Sequence, residues 1–143
     1  MIRRVLLLLA IVAVASTVRA EDRIWAALVL GCPNTSEDPV PKELEPFIGG
    51  LKTVFGYKTF YLLNAKEKKI REGTEEWIVP RKQIFLKVRC TDRDKTSYTV
   101  VVELYVKKQL LVTSEVRLAR EAPLYIRGPN WGKGRLVFIL EVR

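Results

Sequence analysis

Three pairs of carboxylates lie close enough in this 143-residue sequence to share a site: Glu75 with Glu76, Asp92 with Asp94, and Glu103 with Glu115 across a hairpin pattern. Two carboxyl groups facing each other across a cleft at about 5 to 10 Å could divide acid and base work in a hydrolysis. The first two pairs fall in polar turn segments, and the third lies on the wet side of the hairpin among Lys and Arg residues. Solvated charge is the simpler account of all three. Histidine is absent from the chain. Its absence removes histidine metal sites and the Ser/His/Asp triad, and it leaves neither cysteine with the partner that would make it a thiolate nucleophile. The expectation is a non-enzymatic protein with no catalytic residue, no metal and no cofactor.

The remaining chemistry is that of contact. "GPNWGKG" at 128–134 is followed by a strand pattern, whereas a phosphate-cradling loop needs Lys and Ser or Thr opening a helix. Trp131 in that loop, with Tyr125, Arg127 and Arg135 near it in sequence and Trp77 elsewhere, are the candidate binding residues, since Trp, Tyr and Arg contribute disproportionately to interface hot spots. Against this stands a structural reading in which Trp131 folds back over the end of the core, and the loop composition favours it. Trp25, inside an apolar run, is expected in the core. Nucleic acid is not an expected partner, because the aromatic residues form no stacking motif with the basic ones.

Cys32 and Cys90 are the only cysteines. A bridge between them would close a loop of about 59 residues and contribute about 4 kcal/mol on the chain-entropy model. Equally, Cys90 shares an alternating pattern with Ile84, Leu86 and Val88 and reads as a small buried hydrophobe.

The setting for these residues comes from the N-terminus. Arg3 and Arg4 precede an apolar run from Val5 to Ala15, and Val18 and Ala20 supply small residues before Glu21, so residues 1–20 read as a cleaved signal peptide. The run is short of the roughly 20 apolar residues of a membrane span, and an uncleaved anchor is the lesser alternative. "LVLGC" at 28–32 has the form of a lipid-attachment box, but Glu21, Asp22 and Arg23 separate it from the hydrophobic run. A soluble, extracytoplasmic mature chain from 21 to 143, periplasmic or secreted, is expected, as one domain with its own core. Losing Arg3, Arg4 and Arg19 leaves 22 basic residues against 16 acids, a net charge of +6. That balance favours loose association with anionic surfaces, although the cations are spread along the chain.

"RIWAALVL" from Arg23 reads as a buried strand, and "GCPNTSEDPVP" as a loop. Leu44, Phe47, Ile48, Leu51, Val54 and Phe55 recur at spacings of three and four, which predicts one helix ending at Gly56 and weakened by Pro46, Gly49 and Gly50. "YKTFYLLN" has strand composition, "KEKKIREGTEE" reads as charged turn, and Pro80 makes "WIVP" an edge or a strand end. Ile84 to Cys90 alternates. Tyr98, Val100, Val102, Leu104 and Val106 form one arm of a hairpin, Leu110, Val112, Val116 and Leu118 share a face of the other, and Lys107, Lys108 and Gln109 make the turn. Leu136 to Leu140 is apolar at every position, so both faces of that strand must be covered. The predicted architecture is β-rich α+β, an antiparallel sheet or sandwich with one packed helix and its two non-alternating strands at the centre.

"VPKELEPFIGGLKTVFGYKTFYLLN" and "LYIRGPNWGKGRLVFILEVR" resemble segments of small signal-peptide-bearing bacterial envelope proteins. The resemblance covers most of the mature chain and rests on a helix ending at Phe-Gly-Tyr and a Gly-Pro-x-Trp-Gly hairpin. It implies an extracytoplasmic bacterial setting and brings no catalytic residue. The functional expectation is an exported accessory or adaptor domain that binds an envelope protein through a strand edge or the Trp131 loop. The alternative is a binder of an anionic envelope polymer or lipid surface, and a carboxylate-based hydrolase ranks last.

Overall fold

The computed structural model describes residues 22–70, 73 and 83–143, with the backbone of 75–77. The expected signal peptide and most of "WIVP" lie outside these residues. Among these described residues eight strands form two four-stranded antiparallel sheets. In chain order they are β1 (Arg23–Cys32), β2 (Thr59–Lys69), β3 (Glu75–Trp77), β4 (Ile84–Arg93), β5 (Ser97–Val106), β6 (Gln109–Ala119), β7 (Leu124–Trp131) and β8 (Gly134–Val142). One sheet has the order β2-β1-β8-β7 and the other β3-β4-β5-β6.

The two strands without alternation, β1 and β8, sit side by side at the centre of the first sheet. One face of them, with Ile24, Ala26, Leu28, Leu136, Phe138 and Leu140, packs on the second sheet. On the other face Trp25, Ala27, Val29, Val137 and Ile139 meet the helical segment. Every side chain from Ile24 to Val29 and from Leu136 to Leu140 is therefore removed from water, which accounts for the uniform hydrophobicity of these runs. The second sheet is covered on one face only, and β4 and β5 alternate accordingly: Ile84, Leu86, Val88, Val100, Val102 and Leu104 are buried.

The predicted helix is divided. Lys42–Phe47 is a 3-10 helix containing Pro46, and α1 (Ile48–Phe55) follows it. Proline cannot donate the hydrogen bond that would continue a regular α-helix through this turn. Leu44, Phe47 and Leu51 are buried, and the Phe47 ring stacks on Trp25 at 5.2 Å between centroids. Val54 is exposed, against expectation, while its neighbour Phe55 packs against the cluster on this face. Gly56 ends α1 in the left-handed region at φ 68°, where glycine carries no steric penalty.

One further expectation is corrected, and one open alternative is decided. The charged "AKEKK" is not turn: β2 runs on to Lys69, held by its register against β1 from Thr59 opposite Cys32 to Lys69 opposite Arg23. As an edge strand, β2 keeps charged side chains in water at no cost to the core. The cysteines are not bridged. Cys90 lies in the buried inter-sheet layer, three residues from Arg93, and Arg93 shares the end of the sandwich where Asp22 leads into β1. Cys32 closes the other end of that ten-residue strand, roughly 30 Å away at 3.3 Å per residue, and a disulfide needs Cα atoms within about 7 Å.

The registers define two ends. Asp22, Tyr98 and Arg120 meet at one, where Arg120 also bridges to Val142. The β7–β8 turn at Gly132–Lys133 lies at the other, level with Gly31, and the β5–β6 turn at Lys107–Lys108 is at the far end of β5 from Tyr98.

Candidate docking surface

At the Asp22 end an open cavity of about 330 Å³ is lined by Asp22, Arg93, Asp94, Lys95, Tyr98 and Arg120, among others. The Tyr98 hydroxyl donates to the Asp22 carboxylate, and the Arg120 guanidinium lies 2.5 Å from it. Partial burial pushes the Asp22 carboxyl up, but Tyr98 and Arg120 together outweigh it and hold the group below its usual value. Burial, reinforced by Asp22, raises the Tyr98 hydroxyl. The backbone N–H groups of Thr96 and Ser97 donate to Asp94 and lower it as well. Acid–base catalysis by a carboxyl pair works when the two groups are pushed apart, one up and one down. Here both are pushed down, so both are ionised at neutral pH and neither is a proton donor.

Asp22 was not among the carboxylates nominated from the sequence; Asp94, nominated with Asp92, lines this cavity with it. On the solvent face of the second sheet Tyr105 donates to Glu103 at 2.5 Å and the Lys87 ammonium stands 3.7 Å away. The Tyr105 hydrogen bond, aided by Lys87, keeps Glu103 low against partial burial. Glu103 is opposite Thr113 and Glu115 is opposite Val101, so the two carboxylates are diagonal neighbours and not a facing pair. The side chains of Glu75 and Glu76 lie outside the described residues. No group of three or more metal-ligating side chains occurs among the described residues.

The end remote from Asp22 presents a different chemistry. β6 is an edge strand, and its seven residues from Gln109 to Glu115 are all exposed. Leu110 is 51% exposed, Leu111 54% and Val112 38%, whereas Leu118 on the same strand is 1% exposed. Two causes separate Leu110 from the core face on which the period of two places it. A register shift sets both Leu110 and Leu111 in the space opposite Tyr105, so Leu110 turns outward with Tyr105. Farther along the strand, Val112 keeps the inward orientation of its partner Leu104, yet the first sheet no longer covers it. Lys107 and Lys108 form the turn with φ 51° and 65°, both in the left-handed region that a two-residue hairpin of this kind requires and that Asn-Gly fills more easily.

The five binding candidates are not brought together. Trp131 is 43% exposed at the end of β7 and does not close the core. Arg135, on β8 beside the same turn, donates to the Gly128 carbonyl at 3.0 Å. Tyr125 and Arg127 face the helix: the Tyr125 ring meets Phe55 edge-on at 6.4 Å, and the Arg127 guanidinium lies 5.9 Å from the Phe55 centroid. They are packing residues on another layer. Trp77 ends β3, at the edge opposite β6, and its side chain lies outside the described residues. Leu110, Leu111, Val112, Lys107 and Lys108 were not among the sequence candidates. The signal was there: "QLLV" puts three apolar residues in succession on a strand with only one covered face.

No helix among the described residues is long and apolar enough to cross a membrane. Comparison with family models, with curated proteins and with solved structures found no match.

Proposed function

We propose that this chain is an exported, non-catalytic adaptor domain that receives an extended segment of an envelope protein along β6. One observation carries the reading: the inward face of β6 is sealed at Leu118 and open at Val112, on a strand with no neighbour on its outer side among the described residues. An added strand would pair with the unpaired N–H and C=O groups of β6 and lay its apolar side chains over Val112 and Val116. Glu115 and Arg117, on the opposite face of β6, would set its register by charge. The signal-peptide pattern and the resemblance to small envelope proteins support the extracytoplasmic setting. The committed carboxylates at the Asp22 end and around Glu103 weigh against hydrolysis.

The test is photo-crosslinking from position 113 in the native cell envelope, followed by mass spectrometry of the adducts. A recurrent protein crosslinked through a β-strand segment is the expected result. Recovery of no protein adduct would sink the adaptor reading.

A further inference from the structure

The two ends of the sandwich balance charge differently. The β5–β6 turn and its flanks, "YVKKQLL" at 105–111, and the β7–β8 turn and its flanks, "PNWGKGR" at 129–135, contain Lys107, Lys108, Lys133 and Arg135 and no carboxylate. The opposite end mixes signs: Asp22, Asp92, Asp94 and Glu121 stand among Arg93, Lys95 and Arg120. The two hairpins also carry four of the seven large exposed apolar side chains among the described residues: Leu110, Leu111 and Val112 on one, Trp131 on the other. A surface built for water alone would not set two lysines without a carboxylate beside two exposed leucines at one hairpin tip, and a lysine beside an exposed tryptophan at another.

We infer that these two hairpin tips are a membrane-contact surface that seats on an anionic bilayer. Leu110, Leu111 and the Trp131 ring enter the boundary between headgroups and acyl chains, where an indole with one wet edge is at home, and Lys107, Lys108 and Lys133 meet the lipid phosphates. A small free anion would not account for the three apolar groups. Asp22 lies roughly 30 Å from the tips, at the strand rise of β1, so the chain enters the domain on the side facing away from that bilayer. The inference stands apart from the strand-addition reading, since the outer edge of β6 from Thr113 to Arg117 stays open beside the seated tips.

The experiment is co-sedimentation of the purified protein with vesicles of mixed phosphatidylglycerol and phosphatidylcholine, and with vesicles of phosphatidylcholine alone. Binding to the anionic vesicles that weakens steeply with added salt is expected. Replacing Leu110 and Leu111 together by Ser, or Lys107 and Lys108 together by Glu, reduces that binding about ten-fold or more, with circular dichroism and melting unchanged because these side chains are exposed. Lys95→Glu, at the other end, leaves it unchanged. The difference in fluorescence between the parent and Trp131→Phe shifts to the blue on binding. No sedimentation at low ionic strength overturns the inference, as does equal binding to neutral vesicles or equal loss in Lys95→Glu. Tips that crosslink to a protein while binding no vesicle overturn it too, without touching the position-113 test.

Discussion

The hydroxyl of Tyr98 donates to the carboxylate of Asp22, 76 residues earlier in the chain, and ties the entry to β1 to the start of β5. Arg120, leaving β6, closes on the same carboxylate. One acidic side chain thus joins both sheets at the end where the chain enters them.

Asp22→Asn is therefore expected to lower stability at neutral pH by about 1 to 2 kcal/mol, less than a fully buried charged hydrogen bond because Arg120 is mostly in solvent. The Asp22 carboxyl is lower in the folded chain than unfolded. Its contribution is complete above the unfolded value near 4 and is lost as pH falls through the lower folded value. Melting curves of the parent and the Asn variant should differ at neutral pH and converge in acid. A constant gap down to low pH would show that Asp22 acts without its charge.

The Lys107–Lys108 turn stores backbone strain, since both lysines sit at positive φ. Replacing the pair by Asn-Gly is expected to stabilise the domain by about 1 to 2 kcal/mol, raising the melting temperature by roughly 4 °C per kcal/mol. Unchanged melting would mean that the strain is absorbed along the hairpin. The same variant loses two tip cations, so its melting temperature and its vesicle binding should move in opposite directions.

Glycines separate tight from open backbone. A methyl group at Gly134 would run into the carbonyl oxygen of Gly31 on the neighbouring strand, whereas one at Gly49 of α1 meets nothing. Gly134→Ala is expected to cost about 2 kcal/mol or more, through separation of β1 from β8. Gly49→Ala should be stabilising by about 0.5 kcal/mol. Thermal melts of the two variants with opposite signs bear this out, and a shift of the same sign in both contradicts it.

The central pair β1 and β8 could be read from sequence because burial on both faces erases alternation, a signature that needs no knowledge of the partner strand. The β5 arm was legible for the complementary reason, with one face buried from Tyr98 to Leu104. Leu110 and Val112 were misread as core because period two carries no information about where a bulge falls or where the opposing sheet stops. Trp131 was misread for a related reason: a Gly-rich turn does not disclose which side chain faces solvent. Tyr125 and Arg127 sit close to Trp131 in sequence, but the register shift between Arg127 and Asn130 leaves them on the helix side. Adjacency along a strand is therefore a poor guide to a shared site when a bulge intervenes.

The gradient along β6 gives the most direct test of its role. Val112 and Leu118 share a face, yet one is 38% exposed and the other 1%. Leu118→Lys places an ammonium in the inter-sheet core without a partner and is expected to cost more than about 3 kcal/mol, enough to unfold a marginal domain. Val112→Lys puts the same group where water already reaches, so its effect on melting should stay near 0.5 kcal/mol. A lysine pointing inward from an edge strand is also a recognised barrier to strand pairing, because an added strand would bury it. Val112→Lys should therefore keep the fold and abolish the position-113 crosslink. A folded Val112→Lys protein that crosslinks as well as the parent would mean that the partner approaches β6 from its outer face, past Glu115 and Arg117, and not over the open inner one.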